Sequence, residues 1–312
     1  MRKFIAAVFA VAFTASAALA QSQQAPTLRI VSEDGNRLPS ELMYGNTKVK
    51  PLRLRPGTNV PITIDDSDFF VQQHYVDFLS RFPDQSGFKF WQDDINQCGS
   101  NAQCVEVHRV NVSAAFFLSI EYQRSSYLVY KTYKAAFGDL PGKPVPVRRE
   151  NLMPDARTVL NGIIVGSDPT WESKLNANID AYEQAFAQRG DFQAAFPASM
   201  TAAQFVDKLY SNAGVTPTAG ERNAAVSAFA TSRAAALRSV VESQTLHNAE
   251  INKAFVLSQY FGYLKRDPDA LPDTSFQGYS FWLGKLEEFN GNFIQAEMVK
   301  AFINSTEYRT RF

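Results

Sequence analysis

One stretch of this chain occurs twice, so any fold proposed for the first copy must also suit the second. Residues 70–95 read FVQQHYVDFLSRFPDQSGFKFWQDDI, and residues 255–286 read FVLSQYFGYLKRDPD, an insertion, and a closing GYSFWLGKL. The matched pairs are Phe70 and Phe255, Val71 and Val256, Tyr75 and Tyr260, Leu79 and Leu264, Arg81 and Arg266, Pro83 and Pro268, Asp84 and Asp269, Gly87 and Gly278, Phe90 and Phe281, and Trp91 and Trp282. The sequence therefore predicts an internal duplication.

Each copy has the pattern of a helical hairpin. Apolar and aromatic residues before the arginine recur at steps of three and four, which places them on one face of a helix. The proline is expected to end that helix at Phe82 in the first copy and at Asp267 in the second. Asp84 and Asp269 directly follow the prolines and are predicted to cap the next helix. The unit is thus two helices joined at an Arg-x-Pro-Asp corner.

A second shared stretch follows each hairpin at a distance. It reads AAFFLSIEYQ after the first copy and KAFINSTEYR after the second. Its glutamates, Glu121 and Glu307, are predicted to form ion pairs with Arg81 and Arg266 respectively. We expect these pairs, the two aspartates of the corners and the two tryptophans, Trp91 and Trp282, to serve the structure.

The corners also allow a functional interpretation as ligand or calcium sites. Calcium requires six or more oxygen ligands, and the first corner offers too few of them. The longer second corner, PDALPDTSF, adds Asp273, Thr274 and Ser275, so it is the better candidate of the two.

The pattern F-V-x3-Y-x3-L-x-R-x-P-D, then G-x2-F-W and a trailing S-x-E-Y, resembles the bacterial domain of unknown function numbered 4214. The resemblance covers residues 68 to about 125 and 250–312. It implies a helical, extracellular and non-catalytic module of the kind found in RTX-type and S-layer-associated proteins, and it carries over no catalytic residue. Phe205, Val206 and Tyr210 mark a degenerate third copy that lacks the corner arginine, the aspartate and the tryptophan.

Residues 1–20 have the pattern of a Sec-type signal peptide. Arg2 and Lys3 precede an apolar run, and Ala18 to Ala20 supply the small-residue cleavage site. The sequence therefore predicts a secreted, periplasmic or cell-surface protein. Cleavage would remove two basic residues from a chain of formal net charge zero, a balance that argues against a nucleic-acid partner. No other stretch approaches the length of a transmembrane helix.

The predicted fold is mainly α, an array of helical hairpins with a short irregular or β N-terminal extension. That extension spans residues 21–66, with short strands predicted at residues 28–31 and 60–64. The first helical module spans 67–140, a middle helical region with the degenerate copy spans 141–249, and the second module spans 250–312. Tyr127, Tyr130 and Tyr133 form a stripe at steps of three, which is either core or a surface for sugars.

The chain has two cysteines, Cys98 and Cys104. In an exported chain, two thiols so close in sequence are expected to form a disulfide. Redox or metal use is the alternative, but there is no C-x-x-C motif, and His108 alone was not expected to complete a metal site.

No sequence motif indicates an enzyme. His74, His108 and His247 have neither metal-ligand spacing nor an expected serine partner, and no P-loop, G-x-S-x-G or H-E-x-x-H is present. We expect a non-catalytic module for extracellular or cell-surface interaction, without a cofactor, whose partner is an envelope protein or a surface glycan. The alternative is a calcium- or carbohydrate-binding module that uses the second corner.

Overall fold

The computed structural model describes residues 28–32, 40–49, 53–166 and 169–312, so the predicted signal peptide lies outside the described residues. The chain begins with a three-stranded antiparallel sheet of β1 (Leu28–Ser32), β2 (Ser40–Tyr44) and β3 (Thr47–Lys48), in that order. Leu28 pairs with Tyr44 at one end of the first ladder and Ser32 with Ser40 at the other. The first predicted strand is therefore present.

The second predicted strand, at residues 60–64, is absent. Its place is taken by a single bridge between Leu54 and Pro61. Pro61 has no N–H to donate to a ladder, which limits the pairing to this short stretch. Below the bridge, the chain is held to the helices, because the Arg109 guanidinium donates to the carbonyl groups of Ile64 (2.9 Å) and Asp65 (3.1 Å).

The rest of the described chain is mainly helical, as the sequence predicts. The helices are α1 (Ser67–Leu79), α2 (Gln85–Asn96), α3 (Ala102–Leu118), α4 (Ile120–Gln123), α5 (Ser126–Phe137), α6 (Arg149–Leu160), α7 (Trp171–Ala187), α8 (Gly190–Ala195), α9 (Ala202–Ala213), α10 (Ala219–Ala228), α11 (Arg233–Val241), α12 (Gln244–Gln259), a π-helical turn (Tyr260–Leu264), α13 (Gln277–Glu288), α14 (Met298–Asn304) and α15 (Thr306–Arg309). None of these helices has both the length and the apolar character that crossing a membrane requires.

The residues matched in the sequence lie in two groups of helices, which we call the two units. The first consists of α1 to α4, and the second of α12, the π-helical turn and α13 to α15. Ser119 and Ser305 cap α4 and α15 in the same way, each accepting from the amide of the tyrosine three residues on, at 3.2 and 3.1 Å. Trp91 and Trp282 pack on equivalent phenylalanines, at centroid distances of 6.1 Å from Phe116 and 5.8 Å from Phe302.

The first helix of each unit ends earlier than the proline rule predicts. Ser80 and Lys265 adopt the left-handed conformation, with φ of 54° and 58°. The amide of the following arginine then bonds back to the tyrosine carbonyl six residues before it, at 3.4 Å in both units. A left-handed residue thus closes both helix ends. Phe82 and Asp267 lie outside the helices, as predicted, but each helix already ends at Leu79 or Leu264, so the left-handed residue and not the proline ends it.

Helix α5 lies at the centre of the molecule. All of its residues from Ser126 to Ala136 are buried except Tyr133, and it packs against α6, α9, α11 and α12. Tyr127 and Tyr130 are core residues, whose hydroxyls donate to the His247 carbonyl (2.8 Å) and to Glu250 (2.7 Å). Tyr127 and Tyr130 of the tyrosine stripe therefore belong to the core, and Tyr133 lies half-buried at its edge.

The middle region supplies a further hairpin at the degenerate copy. Phe205, Val206 and Tyr210 are buried on α9, which packs against α10. Both helices begin with a complete capping box, built on Thr201 and Thr218.

The two units face each other through equivalent elements. Helix α1 packs against the π-helical turn, and α3 packs against α14. Phe78 and its counterpart Tyr263 meet edge to face, with ring centroids 5.0 Å apart.

In the ion pairs across this contact, the two units carry charges of opposite sign. The acidic partners are Asp65, Asp77 and Glu106, and the basic partners are Lys265, Lys300, Arg309 and Arg311. All of the acids lie in or just before the first unit, and all of the bases lie in the second. This segregation of charge favours pairing of unlike units over pairing of like ones.

Candidate functional site

The first hairpin corner is built around the Arg81 guanidinium. It donates to both carboxylate oxygens of Glu121, at 2.7 and 2.8 Å, and lies 4.8 Å above the ring of Tyr75. Asp84 is the predicted N-cap of α2, and its carboxylate accepts from the amide of Gly87 at 2.9 Å. The Arg81–Glu121 pair predicted from the sequence is therefore present, in the bidentate geometry that gives the strongest pairs.

The matched glycines have a steric reason. A Cβ atom on Gly87 would lie 2.3 Å from the hydroxyl of Tyr75, and one on Gly278 would lie 2.6 Å from the hydroxyl of Tyr260. In each unit, the tyrosine of the first helix therefore reaches the backbone of the second helix only because no side chain is there.

The second corner keeps the arginine pair but not the aspartate cap. Arg266 donates to Glu307 at 2.6 and 3.0 Å, as predicted. Helix α13 begins only at Gln277, and Asp269 instead binds Arg148 and, at 2.5 Å, Lys143. These hydrogen bonds hold the pKa of Asp269 well below its usual range. The predicted cap at Asp269 is wrong, because the longer insertion separates this residue from the helix start.

The acidic groups of the second corner are occupied by cations and by a backbone donor. Asp273 pairs with Arg266 at 2.8 Å, and Asp267 accepts from the amide of Arg149 at 3.0 Å. A calcium site needs several carboxylate or carbonyl oxygens aimed at one point. Here each of these carboxylates, Asp269 included, is aimed at its own partner.

Two adjoining cavities, of about 650 and 260 Å³, open beside the first corner, and we call them together the corner groove. They share Asp84, Ser86 and Val165 in their walls. Phe90 lines the larger cavity and is 62% exposed, while Ile120 lines the smaller one and is 50% exposed. Large apolar side chains thus border a concave surface, and the Arg81–Glu121 pair lines its smaller cavity.

The second corner borders a shallower depression, which we call the second groove. It measures about 870 Å³ and is lined on one side by Phe281, which is 55% exposed and is the counterpart of Phe90. Thr274, Ser275, Gln277 and Ser280 supply polar groups around it. The repeat in the sequence identifies Phe90 and Phe281 as a matched pair. A helical pattern alone does not show that their side chains point outward.

Cys98 and Cys104 form the predicted disulfide, with their Cα atoms 5.5 Å apart. His108 lies beside this disulfide, and its Nδ1 is 2.9 Å from the Asp94 carboxylate. In the part of the chain that the structure describes, one group of three or more histidine, cysteine or acidic side chains is placed to hold a metal ion. It consists of Cys98, Cys104 and His108.

His74 has a serine partner that sequence reasoning missed. Its Nδ1 lies 2.8 Å from the Phe70 carbonyl, so this nitrogen donates. Its Nε2 must therefore accept from the Ser113 hydroxyl, which lies 2.6 Å away. Both residues are 1% exposed and line neither groove, and the ring lies among Phe70, Phe78, Phe116 and Tyr263. A substrate has no access to this pair.

The buried His74 gives a prediction for acid stability. Burial lowers the pKa of His74 from 6.5 to about 4. Between these pH values, His74 is protonated in the unfolded chain but not in the folded chain. Stability is therefore lost as the pH falls through this window. We expect the stability advantage of the native chain over His74→Asn to shrink by about 3 kcal/mol between pH 7 and pH 4, measured by urea unfolding.

The test compares the native chain with His74→Asn because a second buried group, Glu183, also makes stability depend on pH. Burial raises the pKa of Glu183 from 4.5 to about 8, so this group destabilises the fold as the pH rises through that range. Its effect opposes that of His74 and is present in both proteins of the comparison. An advantage over His74→Asn that does not change with pH would contradict the account of His74.

Comparison with known protein families, with characterised proteins and with solved structures gives no match to this chain. The resemblance to the domain numbered 4214 therefore stays a prediction. The described residues define a mainly helical protein with one disulfide.

Proposed function

We propose that this chain is a secreted, non-catalytic interaction module, and that its corner groove binds an apolar segment of an envelope protein. The observation that carries the proposal is the exposure of Phe90 and Ile120 at the groove. Apolar side chains gathered at a concave surface typically mark a binding site.

The shape of the groove is fixed before any partner arrives. Arg81 is bound to Glu121, and Asp84, 3.5 Å from Arg81, caps α2. A preformed site binds with a smaller loss of conformational entropy than a flexible one. In this interpretation the corner residues hold the groove open and the exposed apolar residues bind the partner.

The non-catalytic part of the proposal is supported by the placement of the polar groups. The Ser113–His74 pair has a nucleophile–base geometry but lies in the core. A catalytic pair must reach its substrate.

Export is supported by the pattern of residues 1–20 and by the disulfide, since structural disulfides persist in oxidising compartments. N-terminal sequencing of the protein recovered from the secreting cell tests it. We expect the mature chain to begin at Gln21.

The binding experiment uses the mature chain as bait against solubilised envelope proteins. We expect a protein captured by the native chain to be lost with Phe90→Ser and with Ile120→Ser. The matched control is Val107→Ser, because Val107 is 51% exposed on α3 and lines neither groove. Capture that survives both groove substitutions, or that the control reduces equally, would refute the assignment of the corner groove.

A surface glycan at the second groove is the second candidate function. Phe281 offers an exposed ring beside hydroxyl and amide groups, which suits stacking and hydrogen bonding to a sugar. A glycan array with the native chain and Phe281→Ala tests it, with Phe90→Ala as the control. Tyr279 is unsuitable for this test because it is 1% exposed and belongs to the core.

We do not expect calcium to bind at the second corner, because its carboxylates already have partners. We expect the midpoint of thermal unfolding to be the same with calcium and with EDTA.

We further propose that the two units arose by duplication of one ancestral hairpin module related to the domain numbered 4214. The matched residues, the two Arg–Glu pairs and the two serine caps support this origin.

A further inference from the structure

A cluster beside the disulfide has a chemistry that the interaction function does not use. Cys98, Cys104 and His108 each offer one ligand atom, and these atoms lie within 4.8 Å of one another. Two thiolates and one imidazole are a common ligand set for zinc. We propose that reduction of the Cys98–Cys104 disulfide converts this cluster into a zinc site in which both cysteines and His108 are the protein ligands.

The local structure places the ligands for this role. Cys104 and His108 are four residues apart on α3, so their side chains project from the same face of the helix. Cys104 lies in the first turn of α3, where the helix dipole favours the thiolate. Cys98 lies in the preceding loop, six residues before Cys104, which is a wider spacing than most structural zinc sites have.

Asp94 supplies the outer partner that metal-bound histidines usually have. Its carboxylate lies 2.9 Å from Nδ1 of His108. A carboxylate on one ring nitrogen orients the imidazole and raises the basicity of the other nitrogen. The proposal therefore assigns coordination to Nε2 of His108, with water as the fourth ligand.

The two states of the cluster differ by a balanced exchange. A dithiol donates two electrons and two protons to the disulfide, leaving two cysteine thiols and the oxidised dithiol. Zinc then displaces both thiol protons to solvent and takes the two thiolates. The two sulfur atoms, bonded to each other in the disulfide, must then separate to the spacing of about 3.7 Å that two thiolates on one tetrahedral zinc require.

The loop between the cysteines provides access for both reagents. Gly99, Ser100 and Asn101 are exposed, and Cys98, Cys104 and His108 are partly exposed. A metal-bound form would fasten the loop to α3 as the disulfide does. The site would thus keep the connection between α2 and α3 closed under reducing conditions.

The test is a titration of the reduced, full mature chain with Co²⁺ in the absence of oxygen, followed by competition with Zn²⁺. We expect a thiolate-to-cobalt charge-transfer band and the intense visible bands of a tetrahedral site, saturating at one ion per chain. Zinc should abolish both. The oxidised chain should give neither.

Variants distinguish a built site from two free thiols. We expect His108→Ala and Asp94→Asn each to weaken metal affinity by about 10-fold or more. His247→Ala, a histidine remote in sequence from the cluster, is the control and should leave the affinity unchanged. Equal affinity of the native chain and His108→Ala would overturn the proposal, as would the absence of the cobalt bands in a reduced chain that keeps its helical circular dichroism. A reduced chain that loses its helical signal and does not regain it with zinc would also overturn it.

Discussion

Replacing Asp77 by alanine is expected to lower the free energy of unfolding by about 3–5 kcal/mol, as removal of one partner from a buried ion pair does. Asp77 is 2% exposed and binds two cations of the second unit, Lys265 at 2.9 Å and Arg311 at 2.9 and 3.0 Å. Without this carboxylate, the Lys265 and Arg311 side chains, which are 13% and 16% exposed, lose their main counter-ion. Urea unfolding at pH 7, followed by circular dichroism, measures the loss.

The control for this prediction is an exposed ion pair across the same contact between the units. Glu106 pairs with Lys300 at 2.5 Å, but both side chains are more than two-fifths exposed. We therefore expect Glu106→Ala to cost no more than about 1 kcal/mol. Equal effects of the two substitutions would mean that Asp77 does not hold the units together.

Burial of the Asp77 carboxyl raises its pKa, but Arg311 and Lys265 outweigh burial and hold the pKa at about 2. Its stabilising contribution is therefore complete above pH 3.8, the value of the free carboxyl, and is lost as the pH falls toward 2. The measurement at pH 7 is made where this contribution is complete.

Gly262→Val is expected to destabilise the protein by about 3 kcal/mol through overpacking of the contact between the units. A Cβ atom at position 262 would lie 2.5 Å from two ring carbons of Phe78. That ring is fixed against Tyr263, with centroids 5.0 Å apart, so it has little room to move. Thermal or urea unfolding of the variant measures the cost.

Gly284 is the matched glycine for this test. It lies inside α13, is exposed, and has nothing within 4 Å of the position that a Cβ atom would occupy. Gly284→Ala is expected to stabilise the protein by about 0.5–1 kcal/mol, because alanine loses less backbone entropy in a helix. A Gly262 variant as stable as the native chain would show that α1 and the π-helical turn do not pack as described.

Much of each unit could be predicted from the sequence, because its determinants are local or repeated. Helical spacing predicts α1, α2 and α12, and the shared arginines and glutamates predict both ion pairs. The cysteine spacing predicts the disulfide. Each of these features can be predicted from the sequence pattern of a single unit.

The contacts between units could not be predicted in the same way. Asp77 and Gly262 occupy corresponding positions in the two copies, so a search for identities passes over both. Their roles arise only when the copies face each other, since Asp77 needs Lys265 and Arg311, and Gly262 needs Phe78. The partner of Asp269 was missed for a related reason, because Arg148 lies 121 residues away in the sequence.

The candidate site was predicted only in part. The corner residues were identified, but the exposed side chains of the corner groove depend on where residues 164–166 pass over α2, which no local pattern specifies. The sequence alone does not predict a metal site at the cysteines, because no pattern in it gives a partner to His108. Packing of α2 against α3 places Asp94 beside it.

We infer that the corner arginines serve the architecture of the two units. Double-mutant cycles on Arg81→Met with Glu121→Gln, and on Arg266→Met with Glu307→Gln, measure it directly. We predict favourable coupling in both units, about 2 kcal/mol at the first corner and about 1 kcal/mol at the second, where the glutamate side chain is 34% rather than 8% exposed. Coupling indistinguishable from zero at both corners would contradict the claim.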